Sequence, residues 1–271
     1  MRTIDLTTNY TEGYLKNGKL EEYERQFPEL FKHYFTYWGS RKSFTATLGE
    51  EEVLKRAMLI KQCLPTIEQC FLKNALDTSK LDVVLFVGGG WTNGHAFEHR
   101  GKFIVWLPIE GYETKRQVLA FVPHEIVHAL HYAHSFAFYF QDKEEKERLS
   151  RLLIAEGIAT AISARVMGIT DGEALWADYL SESQKQSWVK KCKKRKSELY
   201  AYALKHFSSS AHSQLFYTGD PTDILKNRAG YFIGNELIKG LVQSKKLTAQ
   251  ELLSLPRKRF ERETRGLLAR R

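Results

Sequence analysis

Cysteine is scarce: Cys63, Cys70 and Cys192 are the only three in 271 residues. They are too few and too far apart for a disulfide framework, and none stands in a Cys-x-x-Cys pair, which excludes a thiolate zinc knuckle. A reducing compartment, the cytoplasm, is the expected setting. Cys63 and Cys70 lie two helical turns apart with Phe71 and Leu72 beside them, the surroundings of core thiols rather than of redox chemistry. Long apolar runs are missing too. No stretch approaches about eighteen uninterrupted apolar residues, and no apolar run follows Arg2, so neither a membrane span nor a cleaved leader is expected. Internal repeats and low-complexity linkers are absent. Gly88-Gly-Gly90 lacks the spacing and the following lysine of a phosphate loop, which leaves a turn.

Charge, by contrast, is plentiful and uneven. The formal net charge is +9, and the excess lies in residues 171–271, where 20 Lys and Arg face 11 Asp and Glu. Most of it sits in 190–196 and 257–271. One reading is a solvated helix face and a charged tail; the other is a surface for nucleic acid or another acidic partner. With 43% apolar residues, the chain has enough material to bury a core of its own.

Periodicity predicts an α+β protein that is mainly α. Residues 1–80 read as a helical N-terminal region, with apolar positions at helical spacing over 20–38, 50–63 and 66–76, and with Gly39-Ser40 and Pro65 as punctuation. Residues 81–170 change character. The β-branched run 82–87 and the run 102–107 read as strands, with a short strand at 95–99 between them, together a small antiparallel meander. Strand 102–107 is a candidate edge for an extended peptide. Helices follow over 114–134 and 144–167, the second ended by Gly168. Residues 171–271 read as a basic helical region, with two helices in 173–207, one over 228–243 and one over 248–268 that Pro256 breaks.

The chemistry concentrates in Phe121-Val-Pro-His-Glu-Ile-Val-His128. On a helix, His124 and His128 share one face about 6 Å apart along the axis, so both reach one metal ion, while Glu125 points beside it. Both spacer residues are apolar, as are Val118, Leu119, Val122 and Ala129, which suits a helix buried on most sides. The competing reading is a pair of ordinary histidines satisfied by backbone or carboxylate groups.

A catalytic zinc site takes a third protein ligand and keeps one position open for water. Two candidates follow. Glu156, in Ala155-Glu-Gly-Ile-Ala159, lies on the apolar stripe of its helix, with Leu149, Leu152 and Leu153 before it and Ala159 and Thr160 after it. A buried carboxylate there is costly without a cation. Gly157, unfavourable inside a helix by about 1 kcal/mol, suits a helix passing close to another backbone. Small residues at 155, 157 and 159 would let the two metal-bearing helices approach. His134 completes a string similar to the metzincin pattern, but His131 stands where that pattern has its helix-ending glycine. If the helix continues, His134 lies about 9 Å beyond His128 along the axis and off the ligand face. His131, three residues after His128, stays near that face as a candidate for supporting the ligands or for contacting substrate.

His124-Glu-x-x-His128 followed by Glu156 in a Glu-Gly-x-Ala setting resembles the gluzincins, and more particularly the predicted zinc-dependent proteases in which Glu-Gly-[Leu/Ile]-Ala carries the third ligand. The resemblance covers residues 81–167. Thr160 stands where thermolysin-type enzymes have an aspartate, and the Gly-Ala-Met-Glu-Asn strand of the large aminopeptidases is missing. The resemblance implies a zinc-dependent metallopeptidase with Zn2+ on His124, His128 and Glu156, Glu125 as general base, and a peptide or protein as substrate. It also implies a second electrophile, a Tyr or His from the helical C-terminal part. Tyr231 in Arg228-Ala-Gly-Tyr-Phe-Ile-Gly234 is the candidate, its flanking glycines permitting close backbone approach; His212 and Tyr217 compete. Arg228 is a candidate for charge stabilisation or for binding a substrate carboxylate.

Overall fold

The segment Asp82–Phe86 has no polar face: all five residues are buried, as happens where a strand is covered on both sides. The computed structural model, which describes residues 1–220 and 222–270, shows why. This strand, β2, lies between β1 (Arg2–Asp5) and β4 (Lys102–Pro108), parallel to both, and β3 (His95–His99) pairs antiparallel with β4. The order is β1-β2-β4-β3. The sheet is therefore mixed, not the antiparallel meander that local spacing suggests. Residues 87–94 carry the chain past the place of β4 to the far edge, so the hairpin's return strand enters beside β2 in the parallel sense. A second correction follows: β4 is paired on both sides and offers no free edge, whereas β1 and β3 are the outer strands.

Two compact units, Met1–Ala129 and Leu130–Arg271, divide the chain. The division falls inside the helix Lys115–His134. In the first unit the sheet is accompanied by α1 (Thr7–Asn9), a π turn (Tyr10–Leu15), α2 (Leu20–Glu24), α3 (Pro28–Tyr37) and α4 (Glu50–Lys73). Pro65 does not break α4. The buried stripe of Val53, Ala57, Ile60, Leu64, Ile67 and Phe71 runs straight through it, and each large apolar side chain contributes about 1.5–3 kcal/mol against a proline cost of about 3 kcal/mol. Pro65 and Lys61 are both exposed, so water can satisfy the carbonyl left without its helical donor.

Aromatic rings set the end of β2. The Tyr23 hydroxyl donates to the Val87 carbonyl at 3.2 Å and accepts from the Val87 N–H at 2.7 Å, and Tyr34 donates to the Gly88 carbonyl at 2.6 Å. The Gly88 N–H donates to a Glu110 carboxylate oxygen at 2.8 Å, and the Gly89 N–H donates to the same oxygen. The Glu110 carboxylate thus ties down this glycine turn, and burial pushes the Glu110 carboxyl above its ordinary value. Gly89 and Gly90 take φ of 90° and 80°, open to glycine at little cost.

The second unit holds the end of α5 (Lys115–His134), α6 (Lys143–Glu147), α7 (Leu149–Met167), α8 (Asp171–Trp176), α9 (Glu182–Lys194), α10 (Lys196–Lys205), α11 (Ala229–Lys245), α12 (Ala249–Leu253) and α13 (Arg257–Ala269). The expected helix over 144–167 is two, because Arg148 adopts an extended ψ of 121°. Three helices, not two, fill 171–205, since Ser181 opens a capping box with Gln184 partway along. Gly168 ends α7 with φ 65°, and Pro256 separates α12 from α13. Among the described residues no helix is long and apolar enough to cross a membrane.

The unit is organised by the crossing of α7 and α11. A Cβ on Gly157 would stand 2.5 Å from the Gly234 carbonyl group, and one on Gly234 would strike the Leu153 carbonyl oxygen. Gly157 does meet another backbone, but it is that of α11 rather than of α5. Around the crossing lie Leu149, Leu153, Trp188, Phe232, Ile233 and Leu237, all buried. Replacing Gly234 by Ala should destabilise the protein by about 2–3 kcal/mol despite alanine's better helix propensity, because two backbones must separate; urea denaturation measures it, and a gain in stability would contradict the packing.

Burial lowers the pKa of His33 to about 4 from an ordinary 6.5. The folded state therefore holds it neutral where the unfolded chain takes up a proton, so its share of stability is complete above about pH 6.5 and is lost as pH falls from there toward 4. His33→Phe, which keeps a ring against Phe97, should flatten that part of the profile. Thermal midpoints of both proteins from pH 4 to 8 test this, and parallel profiles would refute it.

Candidate metal centre

Every residue from Ala120 to Tyr132 is buried, and a helix apolar nearly all round is stable only inside a protein. That enclosure carries α5 through Pro123 and places His124, Glu125 and His128 away from bulk water. The four-residue spacing then brings the two imidazoles together, with the Nε2 atoms of His124 and His128 3.2 Å apart. Glu156 completes the group: one ligand atom from each of His124, His128 and Glu156 lies within 4.8 Å of the others. The donor set fits a zinc ion. Tetrahedral coordination with Zn–N of about 2.0–2.1 Å sets two nitrogens roughly 3.3 Å apart, close to the separation found.

The sheet backs this helix. His95 opens β3 and is buried, its ring centroid 5.9 Å from that of His128, with Trp38 and Trp106 packed on it at 5.0 and 6.1 Å. Sequence reading missed His95. Strand alternation held the signal, since His95 and Phe97 point to the same face. Gly94 is also new to the site: a Cβ there would lie 2.8 Å from Cγ of Glu125 and 3.0 Å from the Trp106 carbonyl oxygen. Only a residue without a side chain fits against Glu125. Tyr112 steadies the approach to it, donating to the Asn93 carbonyl at 2.6 Å.

Within the second unit, Arg151 ties the helix of Glu156 to the last turns of α5. It is 2% exposed, and it donates to the hydroxyl of Tyr132 at 2.9 Å, to the Phe138 carbonyl at 2.8 Å and to the Lys146 carbonyl at 3.3 Å. The Phe140 ring covers one side, 4.8 Å away. Five residues separate Arg151 from Glu156, about one and a half helical turns.

The remaining sequence candidates are scattered in role. α5 continues through His131 without a turn, and His134 is exposed at its end, outside the cluster. His131 is wholly buried with its ring against Phe138 at 4.5 Å and Tyr132 at 5.9 Å. Tyr231 meets Phe216 edge to face, ring centroids 5.2 Å apart. Its flanking glycines serve packing: Gly234 admits α7, and a Cβ on Gly230 would meet the Phe216 ring at 2.6 Å. Arg228 begins α11 with its guanidinium over the rings of Trp176 and Tyr231. His212 is engaged with Tyr202 at 2.7 Å and stacks on His206. Tyr217 is 53% exposed. Burial, then the charge of Glu147 and lastly that of Glu156, hold its phenol above the ordinary value, which puts it within electrostatic reach of Glu156. In the basic stretch, Lys190, Lys191, Lys193 and Lys194 are exposed, while Lys196 pairs with Glu236 at 2.7 Å.

Residues 79–262 match a family model described as a predicted Zn-dependent protease, DUF2268. No curated protein and no solved structure matches the chain.

Arg151→Met should cost about 3 kcal/mol, because it leaves the Phe138 carbonyl and the Tyr132 hydroxyl buried without their donor. Chemical denaturation reads the loss. Arg151→Lys, with one nitrogen for three acceptors, should recover only part of it.

Proposed function

Because the chain belongs to the DUF2268 family of predicted Zn-dependent proteases, we propose that it is a zinc metallopeptidase of the gluzincin kind, with His124, His128 and Glu156 as the protein ligands. The observation that carries this reading is the convergence of those three side chains from two separate helices. A zinc ion held there would act as a Lewis acid toward a peptide carbonyl and acidify water.

Glu125 does the proton work. It follows the first ligand on α5, is 8% exposed, and is confined by Gly94, so its carboxylate can be held in one orientation. It takes a proton from the attacking water and delivers it to the leaving amine, as a general base and then a general acid. Negative charge develops on the carbonyl oxygen, and a hydroxyl donor from the second unit stabilises it. Tyr231 is the first candidate. Tyr217 is the second, favoured by its exposure. With three free cysteines, the enzyme suits a reducing compartment such as the cytoplasm. A further role in holding an acidic partner rests on the exposed lysines of α9 and would show as steeply salt-dependent binding.

The purified protein should carry about one zinc per chain, and removal by a chelator should lower its thermal midpoint. Glu125→Gln should reduce peptide hydrolysis by roughly 10²–10⁴-fold with zinc content unchanged, whereas Glu156→Ala should lose zinc itself. A metal-free protein indifferent to chelation would sink the proposal.

Gly94→Ala should lower kcat about 100-fold through displacement of Glu125, again at full zinc occupancy. Unaltered turnover in that variant would remove Gly94 from the site.

A further inference from the structure

Arg148, Arg195 and Arg257 each pair with a carboxylate. Among the described residues none pairs with Arg228, and its Nε is buried without an acceptor. The guanidinium instead lies 4.8 Å from the Trp176 ring and 4.6 Å from the Tyr231 ring. Such contacts stabilise a cation through its flat faces. They leave its in-plane N–H groups to bind something else, and that fork matches a carboxylate.

The backbone is strained to hold this place. Arg228 has φ 58°, a region where a glycine or asparagine would sit with less cost. Strain retained at a side chain that makes no ion pair points to a role for the side chain. Its surroundings connect to Glu156. The Arg228 N–H donates to the Tyr217 carbonyl at 3.1 Å. The helix that Arg228 begins packs at Gly234 against Gly157, the residue after Glu156.

We propose that Arg228, held between Trp176 and Tyr231, binds the free C-terminal carboxylate of a peptide, so that the enzyme acts at or near C-terminal ends. This rests on the zinc hydrolase reading above. Water adds across the amide bond, its hydroxyl to the acyl carbon and its hydrogen to the leaving nitrogen, and the leaving fragment keeps its own carboxylate on Arg228.

Two measurements test it. First, zinc-loaded wild-type protein is given matched peptides with free and amidated C-termini. The amide should show a kcat/KM lower by roughly 10- to 100-fold, the usual weight of a charge-assisted hydrogen bond, and Arg228→Gln should bring the two substrates level. Second, Glu125→Gln protein, which does not turn over, is titrated with an N-acetylated dipeptide acid and its amide while the thermal midpoint is followed. The acid should stabilise it and the amide should not, with the difference gone in the Glu125→Gln, Arg228→Gln double variant. Equal cleavage of both substrates, or equal stabilisation by both ligands, would overturn the assignment while leaving the hydrolase reading intact. Failure of the wild type to bind zinc or cut either peptide would overturn that reading instead. If Arg228→Gln does not fold, the wild-type comparison of acid with amide still decides.

Discussion

Arg151 places a full positive charge in the interior, where among the described residues no carboxylate meets it, and it is held by two backbone carbonyls, one phenol and the face of Phe140. Few residues can do this. The guanidinium has five donors in a rigid plane, so one side chain can tie together the last turns of α5, the connection that follows and the first turn of α7. Such a charge is tolerable only where every polar neighbour is satisfied. The arrangement therefore admits little slack, and it sets the start of the helix that bears Glu156.

The glycine crossing of α7 and α11 constrains the same helix from its other side. Gly157 directly follows Glu156, and its contact with Gly234 is backbone against backbone. Rotation or sliding of α7 would drive atoms into each other, since packed interiors respond to such shifts by strain rather than by flow. One polar clamp and one apolar crossing thus bracket the carboxylate. In the first unit the equivalent constraint is Gly94 against Glu125, with the His95 ring close to that of His128. A metal centre needs ligands held to within a fraction of an ångström before the ion arrives, and these contacts are of the kind that achieve it.

Much of the helical part was legible because its signals are local. Gly168 at a left-handed helix end and Pro256 between two helices each act through their own residue's geometry. Two features were misjudged for a common reason, that they depend on partners distant in sequence. Pro65 continues a helix because the apolar stripe on its far side is buried. β4 is an inner strand because β2, twenty residues earlier, pairs along the side that β3 leaves open. The near-continuous apolar run of β2 was the one available hint of a parallel neighbour.

The sequence by itself determined the pair His124 and His128 and the place of Glu125, since 3.6 residues per turn turns a four-residue spacing into a shared face wherever the helix lies. It also marked Glu156, because a carboxylate on an apolar stripe requires a cation or a partner. Tertiary structure decided what those residues meet. It brought Glu156 to the two imidazoles, set Gly94 against Glu125, gave Gly157 to α11 instead of α5, and laid Arg228 between two rings. Most of these contacts span tens of residues, settled by side-chain volume and by the sheet's strand order, and no periodicity along the chain encodes them.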